Sequence, residues 1–537
     1  MTATTANSFG ILWPSLAAKS RTVVILSLFV FQAQGGASQV EAPAAVRVSV
    51  KSFKITGNRA LADSLLQAIV KPHVGKDLTL AELEAVADLI TEEYRSHGYG
   101  IARAYIPQQE SADGQVEILV LEGQLGTIEV RGNNFYSADF IKRHFTPVVE
   151  EKAIKQSSVE RSLLLLNDHR DLGATAVLQA GNAPGSTDII VKVEEKFPFH
   201  LSLDYNNFGS SDVSRHRFGV EMETNRYLPI EGSTLSIRGV MGSKTSDFVY
   251  GRTLYIQPVN NYGTKLEASV SGGDFDVGRE FTQLGITGKS WGYSIGLRHP
   301  FVKTRFHSLT AEVGFESKDA KEFFLDTLSS IDKIRMLTGS IDYNSTDSTG
   351  RNIISFSINQ GLGDTFGAME NNDPKSSRPP ADNRFTRFTL IAARLQQLTE
   401  FLSVILRGSG QVTTRSLVAS EQFSLGGSET VRGYPQGEFL GDHGYHLSTE
   451  VRVAPLPTRD LFQLAFFVDH GATAVRQAPV GTRSYQTLTG VGYGVRLNYS
   501  YKSLVFQGRL DVGFPVQPSK SSSKERPIFY VQTSLGF

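Results

Sequence analysis

The chain has 537 residues, with Lys+Arg and Asp+Glu each numbering 54, so its formal net charge is zero. That balance argues against a polyanion binder, whose affinity comes from cationic contacts with phosphates, and no nucleic-acid partner is expected. With no cysteine at all, a disulfide framework, a thiolate metal site and a cysteine nucleophile are excluded.

At the N-terminus, Lys19 and Arg21 precede the apolar run Thr22–Phe31, and small residues follow at Gly35, Gly36, Ala37 and Ser38. A positive flank, a short apolar core and a small-residue cleavage site predict a secretory signal peptide over residues 1–38. The leader before Lys19 is long for such a peptide, which suggests a start codon further in. A spanning helix needs roughly 18–20 apolar residues, more than this run supplies.

Residues 39–196 mix helical and strand patterns. Arg47–Asn58 alternates and stops at Gly57 and Asn58, a strand ending in a turn. Leu61–Val70 has helical spacing, and the next helix opens with Thr79 and Glu82 in capping-box positions and closes at Gly98. Strands follow at Ile101–Gln109 and Gln115–Gly123. The order then repeats: a strand at Gly126–Asn134, helices at Ser137–Phe145 and Ser157–His169, and a closing hairpin ending at Ser186–Lys196. Ser157 and Glu160 read as a second capping box. The chain thus carries two β-α-α-β-β units, at 39–123 (with a short N-terminal segment) and 124–196. His73, His97 and His169 are scattered between them, which reads as surface or cap histidines with no metal site.

From residue 197 to 537 the helical signal gives way to strict alternation, as in Leu309, Ala311, Val313 and Phe315, or Ile354, Phe356 and Ile358. Such a face is buried either in a soluble sandwich or against lipid in a transmembrane barrel. The length of the tract, its aromatic residues near segment ends and the terminal strand Phe529, Val531, Thr533, Leu535 and Phe537 favour the barrel. An uncovered strand of that kind in water invites aggregation. Strands of about 9–11 residues with alternating turns and loops give a transmembrane antiparallel β-barrel of roughly 16 strands. The longest unpatterned pieces are Gly363–Arg384 and a loop around 417–446, expected on the extracellular side, with the soluble repeats in the periplasm.

Three short motifs, Val431-Arg432-Gly433-Tyr434, the Phe466–Gly471 stretch with Asp469, and Leu203–Ser210 at the first barrel strand, resemble signatures of the two-partner secretion transporters (TpsB, or haemolysin secretion/activation proteins). In the last of these Tyr205 is interposed. The resemblance covers nearly the whole mature chain, and two POTRA units is the transporter count. It implies an outer-membrane translocator that binds a large secreted exoprotein, in extended form, through its POTRA domains and passes it through the barrel to the surface. Further expected partners are outer-membrane lipid and, for its own insertion, periplasmic chaperones and the barrel-assembly machinery. Since an exposed sheet edge can accept an added strand, the groove is expected in the second POTRA unit, lined by Ser158, Arg161, Leu165, Thr175, Val177 and Gln179. The resemblance also implies that the 417–446 loop folds into the barrel, where Arg432 meets Asp469, with Val431, Gly433, Tyr434 and Gly471 shaping the site. A planar guanidinium suits a carboxylate because it binds bidentately and stays charged.

About ten residues separate the expected cleavage site from the first strand, too few for a barrel-spanning plug helix at 1.5 Å per residue. The loops are therefore expected to seal the resting pore. Asp442, His443 and His446 read as loop polarity, with a metal site as the lesser alternative. No cofactor is expected. With no G-x-S-x-G elbow, the chain is not expected to be an enzyme. The competing function is an outer-membrane assembly factor of the same superfamily, which usually carries more POTRA units.

Overall fold

A computed structural model describes residues 46–110, 113–458, 461–478, 481, 483–517 and 527–537. The signal peptide expected over 1–38, and the segment after it, lie outside the described residues. The chain divides into two compact units at Lys196 and Phe197.

In the first unit, β1 (Arg47–Ser49), β2 (Ser52–Thr56), α1 (Asp63–Val70), β3 (Asp77–Thr79), α2 (Leu80–Ser96), β4 (Arg103–Tyr105) and β5 (Gln115–Leu121) make the first repeat. The stretch Arg47–Asn58, expected as one strand, is two. Lys51 N donates to Gly114 O, so the chain leaves the β1–β3 pair there and β2 joins β5 in parallel. The strand expected at Ile101–Gln109 shrinks to β4, with Pro107 providing no donor to lengthen it. Thr79 and Glu82 do form a reciprocal capping box on α2.

The second repeat comprises β6 (Gln124–Arg131), α3 (Ala138–Arg143), α4 (Thr146–Val149), α5 (Gln156–Leu166), β7 (Leu172–Ala180) and β8 (Ser186–Glu195), with sheet order β6-β8-β7. The capping box expected at Ser157 and Glu160 is absent, because the N-cap of α5 is Lys155, two residues earlier. Glu151 takes over the role, accepting from Lys155 N at 3.1 Å and Ser158 Oγ at 2.5 Å.

The two repeats share a device. Gly57 and Gly132 turn with φ of +84° and +90°, where a Cβ would lie 2.2 Å from Val120 O and 2.4 Å from Val193 O. Only glycine fits so close to a neighbouring strand. A carboxylate at the end of each last strand then caps that turn. Glu122 accepts from Arg59 N and Ala60 N at 2.6 and 2.7 Å, and Glu195 from Asn134 N and Tyr136 N at 2.8 and 3.1 Å. Glu122 also accepts from Tyr94 Oη at 2.6 Å, and burial raises the Tyr94 phenol pKa well above its ordinary value.

The second unit is a closed antiparallel barrel of sixteen strands, running from Phe199–Asn206 to Ile528–Gly536. Alternation sets its two faces: Ile295, Val313, Phe466 and Val468 are exposed on the outside, while the residues between them face the lumen. Several strands exceed the expected length, among them the consecutive Thr287–Lys303, His307–Phe324 and Thr327–Thr346. The last two of these rise past the rim as a tall hairpin whose free edge is occupied by the 362–385 loop. Ile331 N donates to Lys375 O at 2.7 Å and Met369 N to Lys333 O at 3.0 Å. The edge is thereby covered.

The barrel closes on its shortest ladder, Ser202–Asn206 against Gln532–Gly536. Asn207 extends this seam with its side chain: Nδ2 donates to Phe529 O at 2.9 Å and Oδ1 accepts from Val531 N at 2.8 Å. Asn207→Ala is expected to lose both bonds, about 1–3 kcal/mol in all. It should lower the temperature at which the barrel unfolds on heated gels, whereas an unchanged transition would show that the ladder alone holds the seam.

Candidate functional site: a buried arginine in the barrel lumen

Between the barrel strands Leu402–Thr413 and His443–Val453 the chain folds inward, with a short hairpin at Phe423–Leu425 and Phe439–Gly441. Leu425, Val431 and Tyr434 pack on Leu488 in a small apolar cluster. That cluster fixes the segment on both sides of Arg432, whose side chain is only 1% exposed.

Asp469 lies on the strand Phe462–Ala474, where exposed Phe466 and Val468 put the intervening Phe467 and Asp469 on the lumenal face. Arg432 Nε and Nη2 meet Asp469 Oδ2 and Oδ1 at 2.7 and 2.9 Å, a bidentate fork, and Arg432 N adds a third bond at 3.1 Å. Ser448 Oγ donates to Asp469 Oδ1 at 2.6 Å, completing its shell. On the other side of the guanidinium, Nη1 reaches Glu450 Oε2 at 2.8 Å and Asp511 Oδ2 at 3.2 Å. Its plane covers the Phe467 ring, with Cζ 3.3 Å from the centroid.

The remaining carboxylate oxygens are met by arginines of the wall. Arg496 bonds Glu450 at 2.9 Å and Asp511 at 2.5 Å, Arg452 bonds Glu450 at 2.8 Å, and Arg509 bonds Asp511 at 2.8 Å. Three carboxylates and four guanidiniums thus interlock, and every buried carboxylate has several donors, the condition for tolerating charge in a low-dielectric interior.

Gly433, with φ +100°, packs so tightly that a Cβ would be 2.6 Å from Phe514 C. Its N–H donates to Tyr530 Oη at 3.0 Å, and Tyr530 Oη donates to Tyr434 O at 2.7 Å. Tyr434 Oη donates to Thr489 O at 3.0 Å. Gly471 leaves room for Leu425, whose Cδ1 would lie 2.6 Å from a Cβ there. The loop motif is therefore seated through its backbone as well as its charge.

Sequence reading missed Glu450, Asp511, Arg452, Arg496 and Arg509. The available signal was the alternation of late strands, as in Val495-Arg496-Leu497, where a charge stands between two apolar residues. Asp442, the residue considered as a metal ligand, has its oxygens taken by Arg378, Leu417 N and Arg476 N.

The expected groove residues need correction. Leu165 is 4% exposed, so it is not presented to a groove. Ala174 and Ala176 face that core, so the exposed Thr175, Val177 and Gln179 lie on the opposite face of the sheet from α5. The period of two decides this: the expected set took the wrong parity. Ser158 and Arg161 are half-buried on α5, apart from those three. The strand residues beside α5 are Ala176 and the exposed Leu178.

A sixteen-stranded outer-membrane barrel with a lumenal arginine loop, preceded by POTRA domains, is an outer-membrane protein transporter of the TpsB type. The chain belongs to the haemolysin secretion/activation protein ShlB/FhaC/HecB family, whose model matches residues 185–497, and residues 48–123 match the ShlB-type POTRA domain. It is 26% identical over 455 residues to the haem/haemopexin transporter protein HuxB of Haemophilus influenzae, covering 82% of this chain and 79% of that protein. The structure of CdiB from Escherichia coli superposes with a TM-score of 0.77 at 18% identity, covering 94% of this chain and 93% of that one. CdiB from Acinetobacter baumannii gives 0.67 at 16% identity, covering 92% and 90%.

Proposed function

We propose that this protein exports a large exoprotein partner that arrives extended in the periplasm, docks on the second POTRA domain and threads the barrel to the surface. The observation that supports this reading is the free edge of β7, which among the described residues is paired on one side only, to β8. At its start the edge is closed by Asn167, whose side chain bonds Ala174 N at 2.6 Å and Ala174 O at 3.1 Å. Backbone direction alternates along a strand, so the N–H and C=O groups of Ala176 and Leu178 also point to the open side. An extended chain can add there as a fourth strand, with Leu178 offering apolar contact.

Ala176→Pro removes one edge donor without breaking the β7–β8 ladder, since proline is tolerated where the N–H faces outward. Binding of the exoprotein's N-terminal region to the purified protein is expected to weaken about tenfold. Thr175→Ser, on the far face, should leave it unchanged. Equal binding by the Ala176→Pro variant would remove β7 as the docking edge.

A further inference from the structure

Asp442 closes the inward loop at its far end, where the chain rejoins the barrel wall, and it is fully buried. Its two oxygens are held by three different loops. Arg378, from the 362–385 loop, donates Nη1 to Oδ1 at 2.6 Å and Nη2 to Oδ2 at 2.9 Å. Leu417 N, at the start of the inward loop, donates to Oδ1 at 2.8 Å, and Arg476 N, from the next long loop, donates to Oδ2 at 2.7 Å. Arg378 itself closes the circuit by donating to Leu417 O at 2.8 Å and to Arg476 O.

The 362–385 loop is in turn fixed to the tall hairpin. Asp332 accepts from Ser376 Oγ and Ser377 N at 2.9 Å and from Ser377 Oγ at 2.6 Å. Beneath this polar layer Met369, Ala381, Leu417 and Val418 pack on Ile334 and Met336. One carboxylate and one guanidinium therefore tie three loops together at the long-loop rim, and among the described residues neither bonds to the Arg432 cluster.

We propose that Asp442 and Arg378 form a latch on the outer mouth, a second closure separate from the Arg432 seat, and that it opens as one unit when a polypeptide leaves. A single hub bonded to three loops favours release as a unit: losing either partner removes bonds to all three segments at once. This rests on the reading of the barrel as a polypeptide conduit, but its test needs no cargo.

The test is potassium chloride conductance of the purified full-length protein in planar lipid bilayers. Asp442→Ala and Arg378→Gln are each expected to raise the mean conductance several-fold, and the double variant no further than the larger single. Wild-type conductance in variants whose barrels assemble, judged by heat-dependent gel mobility, overturns the latch while leaving the export reading intact. Should Asp442→Ala not assemble, Arg378→Gln decides alone, since Arg378 lies in a loop outside the barrel ladder. Because the chain has no native cysteine, Arg378→Cys with Arg476→Cys can be bridged by a bismaleimide. Bridging is expected to return the raised conductance to the wild-type level, and a conductance that stays high also overturns the proposal.

Discussion

Arg432→Ala is expected to unseat the inward loop while the barrel still assembles. The substitution deletes the fork on Asp469 and the contacts to Glu450 and Asp511 together. These three carboxylates do not suffer equally. Glu450 keeps Arg496 and Arg452, and Asp511 keeps Arg496 and Arg509, whereas Asp469 is left with Ser448 and one backbone N–H. Breaking a buried pair on one side costs about 3–5 kcal/mol, because the remaining charge is stranded. That shifts the ratio of seated to unseated loop by more than about a hundredfold. Two corollaries sharpen the expectation. Arg432→Lys should fare little better, since a point charge supplies no planar fork for Asp469 and no face for Phe467. Asp469→Asn should partly restore Arg432→Ala by removing the stranded charge, so the two substitutions combine to less than their sum. The readout is Ser428→Cys, a buried site in an otherwise cysteine-free chain. A membrane-impermeant maleimide should label it in the Arg432→Ala background and not beside the native arginine, and export of the exoprotein should fall in parallel. Protection and export both at native levels would show that the arginine is not what seats the loop.

The legibility of this molecule in its sequence follows the range of the interactions. The barrel was readable because period-2 alternation is local: Val313 and Phe315 declare their outward face without reference to any neighbour. The repeats were readable from local turn and cap signals at Gly57, Gly132, Thr79 and Glu82. Errors arose where a distant residue decided the matter. Glu151 pre-empted the Ser157 cap, and the Lys51–Gly114 bond split one expected strand into two. At the site, the Val431–Tyr434 and Asp469 motifs were visible as a resemblance, but Arg496, which bonds both Glu450 and Asp511, comes from a different strand, 46 residues after the first and 15 before the second. Charge compensation of this kind is a property of the antiparallel strand order, which brings those strands together on the lumenal face. The parity of Thr175, Val177 and Gln179 was also open in sequence, since both faces of β7 carry small or polar residues and only the Ala174–Val193 pairing reveals which one meets the core.

Gly490→Val separates the seating of the loop from its charges. Gly490 sits in the barrel strand Tyr485–Tyr501, paired with Asp469 on one side and Pro515 on the other. Its φ is not in the left-handed region, so the strand does not need glycine and a β-branched residue suits its backbone. What needs glycine is the loop: a Cβ at 490 would fall 1.8 Å from Arg432 O. Backbone in that position, pinned by the Gly433–Tyr530 bond and by the fork on Asp469, cannot retreat by the ångström or more required. Gly513 presses from the next strand, where a Cβ would be 2.5 Å from Gly433 N. Gly490→Val should therefore yield a barrel of native or higher heat resistance with an unseated loop, a labelled Ser428→Cys and export as low as in Arg432→Ala. Gly239→Val is the matched control, since a Cβ at that strand position meets nothing within 4 Å. Combining Gly490→Val with Arg432→Ala should lower export little beyond either alone, because a loop already displaced has no further seat to lose. Native export from the Gly490→Val variant, with the barrel intact, would mean that transport does not depend on where the Arg432 loop rests.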